Sequence, residues 1–375
     1  MDDLKMNNIS CISAGKCVDL LSNMYVNYYR KKCDFDGLPS VMMWGAPGIG
    51  KSVSVKQIAK IMEVELNKKV VVTDVRLILF NPIDLRGIPT ANEDKTLSVW
   101  LKPQIFQMNP SSDVINILFL DEISAAPLSV QAAAYQITLD KKVGEHNLPK
   151  NCLVIAAGNR TTDKSVAYSM PKALANRLLH IEVEAQFDSW NKWAIANRIN
   201  EKVIGFLKFK PNYLNLFDAT SSHSAFATPR TWEMVSTILN DVSSNIDEVY
   251  ELVVGLVGKG VAVEFKSYCK IYANLPNIED IFNGKSVAVP SRGDVLYALI
   301  SSMLCYARDH KDDLYRIANS INFALRLPPD YSTILLKDYM YIEKDYKKKL
   351  LRLSEFNRWL SRCGKLVDEL NKWAN

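Results

Sequence analysis

One short glycine-containing stretch constrains the fold more than any other feature of this sequence. Residues 45–52 read Gly-Ala-Pro-Gly-Ile-Gly-Lys-Ser, which fits the pattern G-x-x-x-x-G-K-[ST]. An apolar run, 41–44, precedes the stretch, and a helical pattern, 53–62, follows it. Glycines at this spacing let backbone N–H groups curl around phosphate oxygens, and the N-terminus of the helix adds positive potential. The stretch therefore predicts a phosphate-binding loop between a strand and a helix.

Short apolar runs recur in the first half of the chain and alternate with helical stretches. They cover residues 41–44, 70–75, 115–120, 153–157 and 178–183. Runs this short and this apolar suit strands that are buried on both faces, as in a parallel sheet wrapped by helices. The predicted fold class is therefore α/β, a P-loop NTPase sheet with flanking helices. Helical spacing of apolar residues predicts one further helix over 17–36.

The strand pattern stops after residue 187, and helical periodicity takes over. It covers residues 188–209, 229–240, 246–274, 292–325 and 331–373. We therefore expect a nucleotide-binding α/β domain with its N-terminal helix over 1–187, an all-helical lid over 188–290 and a C-terminal helical extension over 291–375.

Composition narrows the class of protein. Of the 375 residues, 48% are hydrophobic and 23% are charged, as in an ordinary globular protein. The sequence has no apolar run of about 18 residues and does not begin with a signal peptide, so we expect a cytoplasmic location and no membrane partner. Seven cysteines without a Cys-x-x-Cys pair, and only four histidines, favour buried free thiols over a zinc site. The net charge of +5 permits an acidic or nucleic-acid partner but requires neither.

The loop and the first helical turn supply the predicted ATP contacts. These residues are Gly45, Ala46, Pro47, Gly48, Ile49, Gly50, Lys51, Ser52 and Val53. Lys51 is expected to reach the β- and γ-phosphates, and the Ser52 hydroxyl is expected to help hold Mg²⁺. A chance glycine-rich turn is the alternative, which the flanking strand and helix disfavour.

Two carboxylates, Asp121 and Glu122, follow the apolar run 115–120. Ligands of open α/β sheets bind at the carboxyl ends of the strands, where these two residues are expected. Asp121 is the predicted partner of Mg²⁺, and Glu122 is predicted to orient and deprotonate the attacking water. In isolation a solvated strand end would look the same, but the order of the motifs along the chain favours function.

Asn159 and Arg177 are two further candidates. Asn159 follows the run 153–157 and could hydrogen-bond the γ-phosphate or the attacking water, although Asn after Gly is often only a turn residue. Arg177 comes at the end of a predicted helix, just before the run 178–183. There it would project from the edge of the domain and reach a γ-phosphate held by a neighbouring subunit. The alternative is a cation that stabilises the helix C-terminus.

Arg230 is the last candidate. Thr228 is predicted to cap a helix with Pro229 in its first turn, so Arg230 would lie in that turn as well. A cation is electrostatically unfavourable there, which suggests another task, such as reporting the nucleotide state to the lid.

In this order the motifs resemble those of the AAA+ ATPases and, within them, of the MoxR-like branch. The matching pieces are the loop 45–52 (Walker A), residues 118–122 (Walker B), Asn159 (sensor 1), Arg177 (arginine finger) and Arg230 (sensor 2). Residues 81–87 and 129–149 also resemble that branch, in which the second stretch forms a helix and a small hairpin, the helix-2 insert, facing a central pore. Here that insert is short, residues 142–147. Arg160 stands where the branch usually has proline and is a second candidate for contact in trans.

The resemblance covers about residues 20–260 and implies nucleotide sites between subunits of a ring, commonly a hexamer. It also implies a client protein that the ring remodels or activates, often one with a von Willebrand factor A domain. A slow or non-catalytic ATP-gated scaffold remains an alternative, as does a nucleic-acid-associated motor, which is not favoured. The predicted last helix is basic, with Lys347, Lys348, Lys349, Arg352, Arg358, Arg362 and Lys365 interleaved with Trp359 and Trp373. A solvated helix face with apolar packing behind it is the commoner meaning of such a pattern.

Overall fold

A computed structural model describes residues 9–163, 170 and 175–362, which fall into two compact units. One unit is Met1–Gln186 together with Phe217–Ser222, and the other is Phe187–Leu216 together with His223–Asn375. Among the residues described, no helix combines the length and the apolar character that a membrane span requires.

A parallel sheet of six strands forms the centre of the first unit. In chain order the strands of this unit are β1 Cys11–Ser13, β2 Val41–Trp44, β3 Lys69–Arg76, β4 Ile88–Ala91, β5 Ser98–Leu101, β6 Val114–Asp121, β7 Lys142–Val143, β8 His146–Asn147, β9 Cys152–Gly158 and β10 Leu179–Glu184. The sheet has the order β1-β10-β2-β9-β6-β3, and every neighbouring pair runs parallel. The predicted P-loop NTPase-like α/β fold is confirmed, and all five apolar runs are strands of this sheet.

Burial differs among these strands. The central strands β6 and β9 are buried along almost their whole length, as expected for a parallel sheet covered on both faces. The expectation of two buried faces is wrong for β3. This strand lies at the edge of the sheet, and its residue Val71 is 37% exposed. The strand β1 was not predicted, since three residues are too few to show a pattern.

Helices cover this sheet. They are α1 Ala14–Lys32, α2 Lys51–Leu66, α3 Pro82–Arg86 and α4 Leu128–Asp140. The predicted helix over 17–36 is shifted towards the N-terminus: Ser13 caps it, its Oγ accepting from the N–H of Lys16 at 3.2 Å. The helix ends at Lys32 because Cys33 adopts the left-handed region, with φ 59°.

Two hairpins extend from the sheet. The small hairpin β7–β8 lies within the predicted insert, whereas β4–β5, between α3 and β6, was not predicted. In β4–β5 the side chains of Ile88, Leu97 and Leu101 are 60%, 67% and 58% exposed. This hairpin therefore presents an apolar surface.

The second unit is helical in the residues described, which confirms the predicted all-helical C-terminal part. Its helices are Phe187–Ala196, Glu201–Phe209, Pro229–Asp241, Ile246–Val257, Lys259–Cys269, Ile278–Phe282, Gly293–Asp309, Leu314–Ala324, Pro329–Tyr339, Tyr346–Leu350 and Ser354–Arg362. Two segments that were predicted as continuous helices are each divided into shorter helices. The segment 246–274 is interrupted at Gly258, with φ 86°, and the segment 188–209 at Arg198, with φ 55°.

The predicted basic last helix also differs from the structure. It is divided into Tyr346–Leu350 and Ser354–Arg362, while Lys365 and Trp373 lie outside the described residues. Trp359 is 1% exposed, so it packs inside the unit rather than beside the basic side chains. Lys349 pairs with Asp312 at 2.9 Å and with Glu343 at 2.8 Å. Apolar packing behind a solvated face is therefore the arrangement here.

A buried ion pair lies inside the helical unit. Lys208 Nζ is 2.5 Å from Asp338 Oδ2, and the two side chains are only 2% and 4% exposed. Asn191 Nδ2 donates to the other oxygen of the Asp338 carboxylate at 2.8 Å. Charges this deep are stable only together, because each lacks water.

We expect Lys208→Met to lower the free energy of unfolding by about 3–5 kcal/mol, because it leaves the Asp338 carboxylate buried without a cation. Urea denaturation followed by circular dichroism measures the change. The matched control is Lys210→Met, which breaks the half-exposed pair with Glu264 and should cost at most about 1 kcal/mol. Equal losses in the two variants would contradict the prediction.

Candidate active site

The loop between β2 and α2 has the backbone that phosphate binding requires. Gly48 and Gly50 adopt φ 79° and 103°, where a side chain is strained. A Cβ on Gly50 would meet no atom within 4 Å, so the backbone conformation alone calls for glycine there. Gly50 also begins α2 without a side-chain cap, which leaves N–H groups of the first turn available to an anion.

Lys51 is held beside this loop. Its ammonium donates to the carbonyl oxygens of Gly45 at 2.6 Å and Ala46 at 3.0 Å. It also donates to Asn159 Oδ1 at 3.0 Å, across more than a hundred residues of sequence. The residue is 9% exposed. The structure thus brings together Lys51 and Asn159, two of the predicted site residues.

Ser52 and Asp121 form the second pair of predicted residues that meet. Ser52 Oγ, in the first turn of α2, donates to Asp121 Oδ2 at 2.9 Å. On the neighbouring edge strand, burial raises the pKa of Asp74, and the negative charge of Asp121 raises it further. A hydroxyl and a carboxylate among further acidic groups are the oxygen donors that Mg²⁺ prefers, so these residues fit the metal.

Glu122 has a strained backbone. Its φ is 57°, a left-handed conformation that costs a residue with a side chain roughly 1–3 kcal/mol. Local hydrogen bonds hold it there: its N–H donates to Asp121 Oδ1 at 2.9 Å, and its carbonyl accepts from the N–H of Ala125 at 3.0 Å. The side chain is exposed at the carboxyl end of β6. Strain of this kind is concentrated at functional sites.

Ser124 is a site residue that the sequence analysis missed. Its Oγ accepts from the N–H of Asn159 at 2.9 Å, and the residue is 3% exposed. A Cβ on Gly158 would lie 2.8 Å from that oxygen and 2.9 Å from Met42 Cε, so only glycine allows the approach. The contact fixes Asn159, the residue after β9, against the segment that follows β6. A serine two positions after Glu122 carries no signal in a single sequence.

Arg160, a predicted trans candidate, is paired within its own chain. Its Nη1 lies 2.5 Å from Glu182 Oε1, and its Nε lies 3.1 Å from Asp163 Oδ1. Burial alone would lower the pKa of Arg160, but hydrogen bonds to the two carboxylates outweigh it and the pKa is raised. The structure therefore shows Arg160 paired with carboxylates of its own chain, and its role in trans stays a prediction.

Arg177 lies at the opposite edge of the sheet from the loop. It precedes β10, whereas the loop follows β2, and the two strands are adjacent and parallel, with Leu179 opposite Val41. Four strand residues at about 3.3 Å each separate the two edges, a span of about 13 Å. The side chain is exposed. Arg177 is therefore placed away from the loop of its own chain.

Arg230 lies in the helical unit. Thr228 Oγ1 accepts from the N–H of Thr231 at 3.2 Å, and Pro229 is the first helical residue, so the predicted cap is present. Arg230 is exposed in the first turn, as expected. Its role as a reporter of the nucleotide state stays a prediction.

Comparison with known proteins gives one family match. Residues 40–180 match the model of the "ATPase family associated with various cellular activities (AAA)". The matched segment is less than half of the chain, and it contains the loop, Asp121, Glu122 and Asn159. Residues 40–180 are therefore similar to the ATPase domain of this family. No curated protein matches the sequence.

Several solved structures are similar at low identity. Caenorhabditis elegans PCH-2 is 12% identical, covers 69% of each chain and has a TM-score of 0.35. A Thermotoga maritima RuvB mutant is 14% identical over 78% of this chain and 83% of that chain, with a TM-score of 0.35. Brucella abortus NtrX is 14% identical over 67% and 71%, with a TM-score of 0.29. These low scores tie the chain to none of the three in particular.

We expect Ser124→Ala to lower the ATP turnover rate while leaving ATP affinity within a few-fold. Removing the hydroxyl would leave the partly buried N–H of Asn159 without its acceptor, at a cost of about 1 kcal/mol. Steady-state phosphate release and ATP titration separate the two effects.

Ser22→Ala is the matched control for Ser124→Ala. Ser22 is likewise a buried serine of the first unit, and its hydroxyl has no hydrogen-bond partner among the described residues. Equal turnover in the two variants would argue against a role for Ser124.

Proposed function

We propose that the chain is an ATP-hydrolysing subunit of a MoxR-like AAA+ ring that remodels or activates a partner protein. The observation that carries the proposal is the division of the sheet into two edges. The carboxyl ends of the strands carry the loop, the Ser52–Asp121 pair and Glu122. The exposed Arg177 lies at the amino ends. A chain built in this way has a nucleotide site that a second copy would complete.

The loop residues would bind the phosphates of ATP. Backbone N–H groups at the start of α2 would donate to phosphate oxygens, with the helix N-terminus adding positive potential. Lys51 would exchange its contacts with Gly45 O and Ala46 O for the β- and γ-phosphates. Ser52 and Asp121 would hold Mg²⁺, which neutralises charge on the phosphates when it is bound.

Glu122 and Asn159 would act on the attacking water. The carboxylate of Glu122 would accept the proton of that water as it attacks the γ-phosphorus, with ADP as the leaving group. Asn159 Oδ1 accepts from Lys51, and the backbone N–H of Asn159 donates to Ser124 Oγ, so the side-chain amide lies where it could hydrogen-bond the γ-phosphate or the water. The strained backbone of Glu122 supports a catalytic role rather than that of a solvated strand end.

Arg177 would complete the site of the neighbouring subunit. Its guanidinium would stabilise the charge that develops on the γ-phosphate in the transition state. Each subunit offers a loop at one end of its strands and an arginine at the other, so contacts of this kind are head-to-tail. Such contacts form a ring when the rotation between subunits closes, which is the arrangement that we propose. Six subunits are proposed from the MoxR resemblance.

The hairpin β4–β5 is the surface we propose for contact with a client. Its exposed Ile88, Leu97 and Leu101 form the kind of apolar surface that marks protein interaction. A client with a von Willebrand factor A domain is proposed on the resemblance alone.

Glu122→Gln should retain ATP binding and lose about 10²–10⁴-fold in turnover, because the amide cannot accept the proton. Isothermal titration with ATP and a phosphate-release assay measure the two properties. Glu251→Gln, at an exposed glutamate of the helix Ile246–Val257, serves as the control and should hydrolyse normally. Undiminished turnover in Glu122→Gln would favour the non-catalytic scaffold instead.

Arg177→Ala should lower turnover about 10³-fold or more with little change in ATP affinity, since the arginine acts on a neighbour's site. Mixed assemblies provide the sharper measurement: variant subunits should inactivate sites on wild-type neighbours. Arg292→Ala, at a 73% exposed arginine side chain of the helical unit, is the control. Normal hydrolysis by Arg177→Ala would show that this residue is not the trans arginine.

A further inference from the structure

Trp44 and His180 form a polar contact that the proposed mechanism does not use. Trp44 is the last residue of β2, directly before Gly45 of the loop, and His180 lies on the adjacent strand β10. Trp44 Nε1 donates to His180 Nδ1 at 2.9 Å. The two rings are nearly coplanar, with centroids 6.1 Å apart and planes 10° from parallel. This in-plane hydrogen bond therefore fixes the imidazole against the strand that carries the loop.

The second nitrogen of this imidazole reaches the turn that contains Arg177. His180 Nε2 lies 2.7 Å from the carbonyl oxygen of Ala175. An indole N–H is only a donor, so Nδ1 is the acceptor and the imidazole proton is on Nε2, which donates to Ala175. The same carbonyl accepts from the N–H of Leu178 at 3.2 Å and so closes the turn 175–178. Arg177 is inside that turn.

The contacts thus run unbroken from one edge of the sheet to the other. Trp44 joins the loop at the carboxyl edge, and Ala175 belongs to the turn at the amino edge. Strand pairing alone would fix β10 but not the turn that precedes it. His180 supplies the additional hydrogen bond that orients this turn relative to the strand β2.

We propose that His180, held by Trp44, is a positioning residue that sets the placement of Arg177 for the neighbouring subunit's nucleotide. This inference rests on the proposed function of Arg177 in trans. His180 touches neither ATP nor water in this scheme. It acts through the Ala175 carbonyl, so its contribution exists only while the Arg177 guanidinium is present.

A double-mutant cycle tests the proposal on the full chain. Turnover and ATP affinity are measured for the wild type, His180→Phe, Arg177→Ala and the double variant. His180→Phe keeps an aromatic ring but loses both hydrogen bonds. We expect turnover to fall about 10-fold at unchanged ATP affinity. This fold-change corresponds to about 1.4 kcal/mol, the contribution of the one hydrogen bond to Ala175. In the Arg177→Ala background the same change should have no further effect.

Rescue separates positioning from packing. His180→Gln supplies an amide oxygen for Trp44 and an amide N–H for Ala175, so turnover should recover towards the wild-type value. His180→Asn offers the same groups on a side chain one methylene shorter and should not recover. The glutamine and asparagine variants also keep the test decisive if the phenylalanine variant fails to fold.

The outcomes are distinct. A 10-fold loss from His180→Phe that persists in the Arg177→Ala background would overturn the inference, because the two effects would then be independent. No loss from His180→Phe beside a large loss from Arg177→Ala would overturn it too, while leaving the proposed function intact. Normal turnover in Arg177→Ala would overturn the trans role itself, and the positioning role with it.

Discussion

Parallel pairing of β2 with β9 on one side and β10 on the other is the constraint on which the site depends. Parallel neighbours end at the same edge, so the residues that follow β2, β6 and β9 are brought together there. Lys51 meets Asn159, and Ser52 meets Asp121, over separations that no local interaction could bridge. The same pairing places Arg177, two residues before β10, at the opposite end of the strands. One geometric rule therefore assembles the proposed nucleotide site and places Arg177 away from it.

Strain at this edge is held by short-range contacts. Gly50 takes a left-handed conformation at no cost in side-chain sterics, whereas Glu122 takes one at a real cost. The N–H of Glu122 donates to Asp121. Two residues further on, Ser124 accepts from the N–H of Asn159. Because the buried strands β6 and β9 hold these groups, contacts within the chain itself maintain the conformation of Glu122.

Much of the α/β unit could be predicted because its information is local. The loop motif and the apolar runs give the strands β2, β6, β9 and β10 within a residue or two. Features that depend on distant partners could not be predicted. Trp44 and His180 are separated by 136 residues, and nothing near either marks the other. The helix break at Arg198 could not be predicted for another reason. Arg198 adopts a left-handed φ of 55°, which its residue type does not favour, whereas Gly258 is of a type that adopts this region readily.

Arg160 and Arg177 differ in the contacts that each would lose on moving to a neighbouring subunit. Arg160 is paired with Asp163 and Glu182, whose side chains are 6% and 8% exposed. If its guanidinium moved to a neighbouring subunit, two buried carboxylates would lose their cation, and breaking such a pair costs about 3–5 kcal/mol. Any gain at the neighbour's phosphate would first have to offset that loss. Arg177 is exposed on its turn and forms no such ion pair within the described part of the chain, so moving it would cost less, which supports Arg177 over Arg160 as the proposed trans arginine.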